Sequence, residues 1–187
     1  MTKRDSGKRE RLVAAAVNLA YRNGFTSTSL ADIAKESGVP LGNVYYYFKT
    51  RDDIAAAIID HHRQAFDEFR ARMVEVPSAK ARLVSFINMT VANAGEVARH
   101  GSPSGSLCAE LLKSETTGRD AVRPLLADPM GWMAEQFAEM GHGDDAGALA
   151  LQLQASLQGA SLLAQNAGDP DVLTREGARL KMWVNGL

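Results

Sequence analysis

Asn43, Tyr46, Tyr47 and Lys49 fall on one face of a short predicted helix, opposite Val44 and Phe48, with Tyr45 at the edge between them. An amide that donates and accepts at once, several phenols and a cation, all turned to solvent, make neither a core nor a catalytic set. They suit a surface of phosphates and base edges, which points to nucleic acid. The other residue types that carry chemistry are scattered. His61 and His62 are adjacent, hence on different helix faces, and do not pair as metal ligands. His100 and His142 stand alone, and Cys108 is the single cysteine. With no metal-ligand spacing, no glycine-rich phosphate loop and no nucleophile–base arrangement, the expectation is a protein without catalytic residues, metal or cofactor, and not an enzyme.

The polar face is positioned by what precedes it. Leu30, Ile33 and Ala34 recur three and four apart while Asp32, Lys35 and Glu36 face out, which predicts a first short helix. Ser29 and Asp32 form a Ser-x-x-Asp start signal. Gly38 supplies the left-handed backbone that ends the helix, Val39 plugs the angle, and Pro40 stands at or just before the next start. Two short helices joined in this way over 29–51 read as a helix-turn-helix.

Charge supports the division of labour. The 187 residues carry a net charge of -1, yet through Arg51 there are nine Lys and Arg against four acids, a net of +5, leaving -6 for the remainder. One end is built to meet a polyanion and the other is not. A single cysteine rules out an internal disulfide framework and fits a reducing compartment. No apolar run approaches the roughly 20 residues that cross a bilayer, so a soluble, cytoplasmic protein without membrane contact is expected.

Periodicity predicts helices throughout, eight or nine in all, and no strands. Residues 1–7 read as a polar tail, with Lys3 and Arg4 either free to reach a phosphate backbone or simply solvated. A helix over 8–23 buries Leu12, Val13, Ala16, Val17 and Ala20, Gly24 ends it, and Phe25 walls the helix-turn-helix. Thr50 caps a long helix over 51–76, which at about 1.5 Å per residue spans roughly 36 Å and should enter a second domain. Further helices are predicted over 78–100, 106–114, 119–140 with a bend or break at Pro129, 145–167 and 171–183. The resulting domains are 1–50 for nucleic-acid binding, 51–76 as connecting helix and 77–187 as a second helical domain.

The helix over 145–167 is apolar nearly all round, which predicts cover on two sides. With the last helix it is the candidate homodimer interface, a four-helix bundle through Leu153, Ser156, Leu157, Gly159, Ala160, Leu180 and Trp183; a monomer's core helix is the alternative.

Gly24-Phe25, the run from Thr28 to Val39 and the run from Gly42 to Ile54 closely resemble the DNA-binding domain of the TetR family of bacterial repressors, over about residues 8–60. The resemblance implies an all-α protein: an N-terminal three-helix helix-turn-helix domain followed by a C-terminal helical domain that binds ligand and dimerises. It implies a transcriptional repressor on a palindromic double-stranded operator, released by a small, apolar effector. By position, Leu41, Gly42 and Asn43 would lie nearest the base edges, with Asn43 bidentate to adenine at roughly 1–3 kcal/mol of discrimination. Ser29, Tyr45, Tyr46, Tyr47, Lys49 and Arg51 resemble the phosphate-contacting set. Leu41 and Ala31 depart from the polar residues of some relatives, so direct readout would be sparse and DNA shape would carry more of the specificity.

The resemblance also assigns an effector pocket, for which the lining candidates are Phe86, Met89, Thr90, Asn93, Cys108, Leu112, Met133, Phe137 and Gln158; a simple core is the other reading of this stripe. Cys108, placed at the start of a predicted short helix, raises a redox-sensor alternative against that of a buried structural thiol. A DNA-binding adaptor that responds to a protein partner is the remaining alternative.

Overall fold

Buried residues recur at helical spacing along the chain, and each recurrence became a helix. The computed structural model describes residues 3–113 and 118–187, with side chains from Gly7 onward. In order they form α1 (Lys3–Asn23), α2 (Leu30–Ser37), α3 (Leu41–Tyr47), α4 (Arg51–Met73), α5 (Ala79–Val91), α6 (Ala94–His100), α7 (Pro103–Leu111), α8 (Arg119–Val122), α9 (Pro124–Glu139), α10 (Ala146–Ala167) and α11 (Pro170–Gly186). Among the described residues there is no strand, and the all-α class holds.

Several boundaries differ from those expected. α1 begins at Lys3, so the polar segment from there on is helical rather than a tail; the side chains of Lys3 and Arg4 lie outside the described residues. The helix expected over 78–100 is broken at Asn93, whose φ of -106° and ψ of 23° leave the helical region. The break lets Ala94 and Val97 of α6 pack with Ala160, Ala164 and Leu173. Pro129 lies inside α9 without dividing it, and the division falls at Pro124, a position where a missing N–H costs nothing. Of the loop expected through Gly118, residues 114–117 lie outside the description.

The chain divides into two compact units, Met1–Ala65 with Ser106–Leu125, and Phe66–Gly105 with Leu126–Leu187. This differs from the expected 1–50, 51–76 and 77–187: α4 crosses from one unit to the other at Ala65, and a segment from beyond residue 100 joins the first unit. In that unit Leu12, Ile33, Val44, Phe48 and Ile58 are almost wholly buried, each contributing roughly 1.5–3 kcal/mol. Asn18 Nδ2 donates to Glu36 Oε1 at 3.0 Å and ties α1 to α2.

The second unit has an aromatic centre. Phe66, Phe69, Phe86 and Trp132 meet at centroid separations of 5.5–6.4 Å, mostly edge to face. Met133, Phe137, Leu153, Leu157 and Leu180 extend it. Arg82 ties α5 to α9, donating from Nε to Gln136 Oε1 at 2.6 Å and from Nη2 to Glu139, while its Nη1 reaches Val76 O at 3.2 Å. α11 approaches α5 at Gly177, where any Cβ would overlap Val91.

Candidate nucleic-acid interface

α2 is fixed at both ends by local chemistry. Ser29 Oγ accepts from Asp32 N at 3.2 Å while Asp32 Oδ2 accepts from Ser29 N at 3.1 Å, a reciprocal capping box. The Ser29 hydroxyl, then the Ser29 N–H, hold the Asp32 carboxyl below its ordinary range. At the other end Gly38 has φ +64°, and Val39 N donates back to Ala34 O at 3.2 Å. An L side chain at Gly38 would be strained in this conformation. Val39, 2 % exposed, fills the angle beyond.

α3 follows at once, its first turn made of Leu41, Gly42 and Asn43. Val44 at 0 % and Phe48 at 2 % exposure hold it down, so the opposite face must project. There Leu41 is 41 %, Tyr45 54 % and Tyr46 71 % exposed. Asn43 and Tyr47 are half-buried and Lys49 is exposed. The Tyr46 and Tyr47 rings meet edge to face at 5.1 Å. Tyr45 thus projects rather than packs, and the outward face carries an amide, phenols and a cation within about two helical turns.

Two residues of the expected phosphate-contacting set are already committed. The Ser29 hydroxyl donates to Asp32. Arg51 Nη2 donates to Phe25 O at 2.7 Å and to Thr26 O at 3.2 Å, and the guanidinium stands 5.0 Å from the Phe25 ring centroid. Arg51 therefore clamps the turn between α1 and α2, a role that the sequence reading did not give it. A second clamp was missed altogether: Glu110 Oε2 accepts from Thr26 N at 3.0 Å. A Cβ at Gly24, where φ is +86°, would press on that carboxylate at 3.2 Å. No local pattern links residues 84 positions apart, so nothing in the sequence announced Glu110.

The start of α4 repeats the device seen at α2. Asp53 Oδ2 accepts from Lys49 N at 2.8 Å and Thr50 N at 2.9 Å, while Thr50 Oγ1 accepts from Asp53 N at 3.1 Å. These bonds draw the Asp53 carboxyl below its ordinary range and hold the end of α3 against the start of α4.

Residues 12–58 match the family model described as bacterial regulatory proteins, tetR family. Residues 12–58 are thus a DNA-binding domain of the TetR type. An uncharacterized HTH-type transcriptional regulator in the lacX 3' region of Lactococcus lactis subsp. lactis is 26 % identical over 175 residues, 88 % of this chain and 87 % of that protein. The regulatory protein TetR from Rhodobacter sphaeroides is similar in fold, with a TM-score of 0.80 at 24 % identity over 93 % of this chain and 97 % of that one. FadR from Bacillus subtilis, solved in complex with stearoyl-CoA, superposes with a TM-score of 0.72 at 20 % identity over 96 % and 99 % of the two chains. The matching domain is the helix-turn-helix of DNA-binding transcription regulators, and the relatives named here are regulators rather than enzymes.

The residues expected at an effector pocket do not form one cluster. Phe86, Met133 and Phe137 are buried in the core of the second unit. Thr90 is half-buried with its hydroxyl donated to Phe86 O, whereas Met89 and Asn93 face out. Gln158 is half-buried in the same unit. Cys108 and the exposed Leu112 belong to the first unit. Cys108 does not open its helix, since α7 starts at Pro103. Its thiol is 6 % exposed and burial pushes it up to about 11, so it is protonated and shielded, the reverse of a sensor thiolate.

The expected interface residues are also divided. Leu153, Leu157, Ala160 and Leu180 are buried within their own unit and leave no free surface for a partner, Ser156 and Trp183 are half-buried, and Gly159 is exposed. The exposed large apolar residues of these helices are Leu151, Leu162, Leu163 and Met182. Among the described residues no helix is long and apolar enough to cross a membrane.

Proposed function

We propose that this chain is a homodimeric repressor of the TetR family that holds a palindromic operator through α3 and releases it when a small, largely apolar effector enters the second unit. The observation that carries the DNA half is the outward face of α3, where Tyr45 and Tyr46 are more than half exposed above a fully buried Val44. A short helix anchored on one side and polar on the other fits the major groove, with Leu41, Gly42 and Asn43 at the base edges and Tyr45, Tyr46, Tyr47 and Lys49 on phosphates. Arg51 acts beside this surface, bonding Phe25 O and Thr26 O in the turn before α2.

Dimerisation is assigned to the exposed stripe of α10, Leu151, Ala155, Gly159 and Leu162, together with Leu163 of the same helix and Met182 of α11. These residues recur at intervals of three and four on one face, and the small ones allow close approach of a second helix. An effector in the second unit is supported by the likeness in fold to FadR, which was solved with stearoyl-CoA. α4 and α7 each run from one unit into the other, and α7 carries Glu110, whose bond to Thr26 N lies at the root of the helix-turn-helix. Displacement of either helix would re-aim the DNA-binding head, with a coupling of about 1–3 kcal/mol.

Selection of bound duplexes from a random pool tests the reading. An inverted repeat with half-sites about one helical turn apart is expected. A single asymmetric site, or no enrichment, would refute the dimeric repressor.

A further inference from the structure

One peptide unit in the turn before α2 is held at both ends by opposite charges. Phe25 O accepts from Arg51 Nη2 at 2.7 Å, and Thr26 N, the other end of the same peptide, donates to Glu110 Oε2 at 3.0 Å. Among the described residues no peptide bond is cis, so the oxygen and the N–H point to opposite sides and the plane is gripped from two directions. A cation on the carbonyl and a carboxylate on the N–H each make a charge-assisted bond. Gly24, at φ +86°, leaves room for the carboxylate: a Cβ there would stand 3.2 Å from both Glu110 oxygens. α7 itself is fixed by the buried Leu107, Cys108 and Leu111, with Glu110 half-buried on the same helix. The rest of the turn is bonded locally, Thr28 N donating to Phe25 O at 3.2 Å and Thr28 Oγ1 to Gly24 O at 2.9 Å. Ser29, the cap of α2, follows at once. The tilt of the Phe25–Thr26 peptide therefore sets how α2, and α3 with it, leaves α1.

We propose that Glu110 is a positioning residue for operator binding: by holding the Phe25–Thr26 peptide opposite Arg51, it fixes the angle at which the helix-turn-helix is presented. The DNA-binding head then extends beyond residues 12–58 to a residue of α7. The inference rests on the reading of α3 as the operator-binding helix. A carboxylate repels phosphate, so any operator affinity that Glu110 brings runs through the turn and not through contact with DNA. Charge alone gives the opposite sign: removing Glu110 would then tighten binding to every duplex.

The test compares the full chain with Glu110→Gln, Glu110→Met and Glu110→Ala on two duplexes, the operator selected from a random pool and an unrelated sequence. Affinities are read by fluorescence anisotropy at one salt concentration, well below each melting temperature. Glu110→Met keeps the length of the side chain without a carboxylate to accept the bond. It should weaken operator binding about tenfold, because one bond of ordinary strength then no longer holds the head in its competent orientation. Unrelated DNA should be bound no less tightly than by the parent. Glu110→Gln retains an acceptor oxygen and should recover most of the loss. Glu110→Ala should match Glu110→Met, and carries the test if the longer side chain prevents folding. Unchanged or tighter operator binding by the variants without an acceptor overturns the proposal. So does an equal loss on both duplexes, which would make Glu110 a support of the fold alone, or a Gln variant as weak as the Met variant. If the parent enriches no operator, the reading of α3 fails first and the proposal falls with it.

Discussion

Lys49 and Arg51 lie two positions apart and serve different ends. Both are exposed, but Arg51 spends its guanidinium on Phe25 O and Thr26 O. Lys49→Ala should therefore reduce the slope of log affinity against log salt by about 0.9, read from fluorescence anisotropy over a salt series. Arg51→Lys keeps the charge and loses the planar two-carbonyl clamp, so it should lower the melting temperature and leave the salt slope unchanged. The reverse pattern would return Arg51 to the phosphate set. His62 provides a third case: burial, then the neighbouring His61, lower its pKa to about 4 from 6.5. The folded state thus binds fewer protons than the unfolded one between those values. Its contribution to stability is complete above pH 6.5 and is lost as pH falls toward 4, by at most about 3 kcal/mol. Urea midpoints from pH 7.5 to 4.5 should fall less steeply for His62→Gln than for the parent; parallel curves would remove His62 from the acid response.

At the scale of the elements, local signals were well read wherever they are local in cause. Ser29 with Asp32, Gly38 and Thr50 marked helix ends that bond as their spacing implies. Ser29→Ala should cost about 1 kcal/mol, measured by urea denaturation. What spacing could not convey was tertiary in origin. The break at Asn93 follows from where α6 must pack, and the clamp of Glu110 on Thr26 joins residues far apart in the chain. Gly177 is similar: its sequence neighbours give no hint that α5 passes there, yet a Cβ would overlap Val91. Gly177→Ala should destabilise by about 1–3 kcal/mol through overpacking, and an unchanged denaturation midpoint would show that the helices can separate at little cost.

Across the whole molecule, amphipathicity marked α10 for cover on two sides but could not say which side the chain itself covers. Leu153, Leu157 and Leu180 turned out to be core, and the free apolar face is Leu151, Leu162, Leu163 and Met182. In consequence Leu162→Glu should yield a folded monomer by analytical ultracentrifugation with weakened operator binding, whereas Leu153→Ala should lose about 2–5 kcal/mol of stability. A dimeric Leu162→Glu protein would place the interface elsewhere. The proposed DNA-binding face, by contrast, rests on an exposure pattern that was legible in the sequence, because the buried Val44 and Phe48 and the outward residues share one short segment. Its central claim is that Asn43 reads bases while its neighbours hold phosphates. The direct measurement is the affinity of Asn43→Ala for the selected operator and for unrelated DNA at one salt concentration. A loss of about 1–3 kcal/mol confined to the operator is predicted; an equal loss on both duplexes, or none on either, would contradict the account.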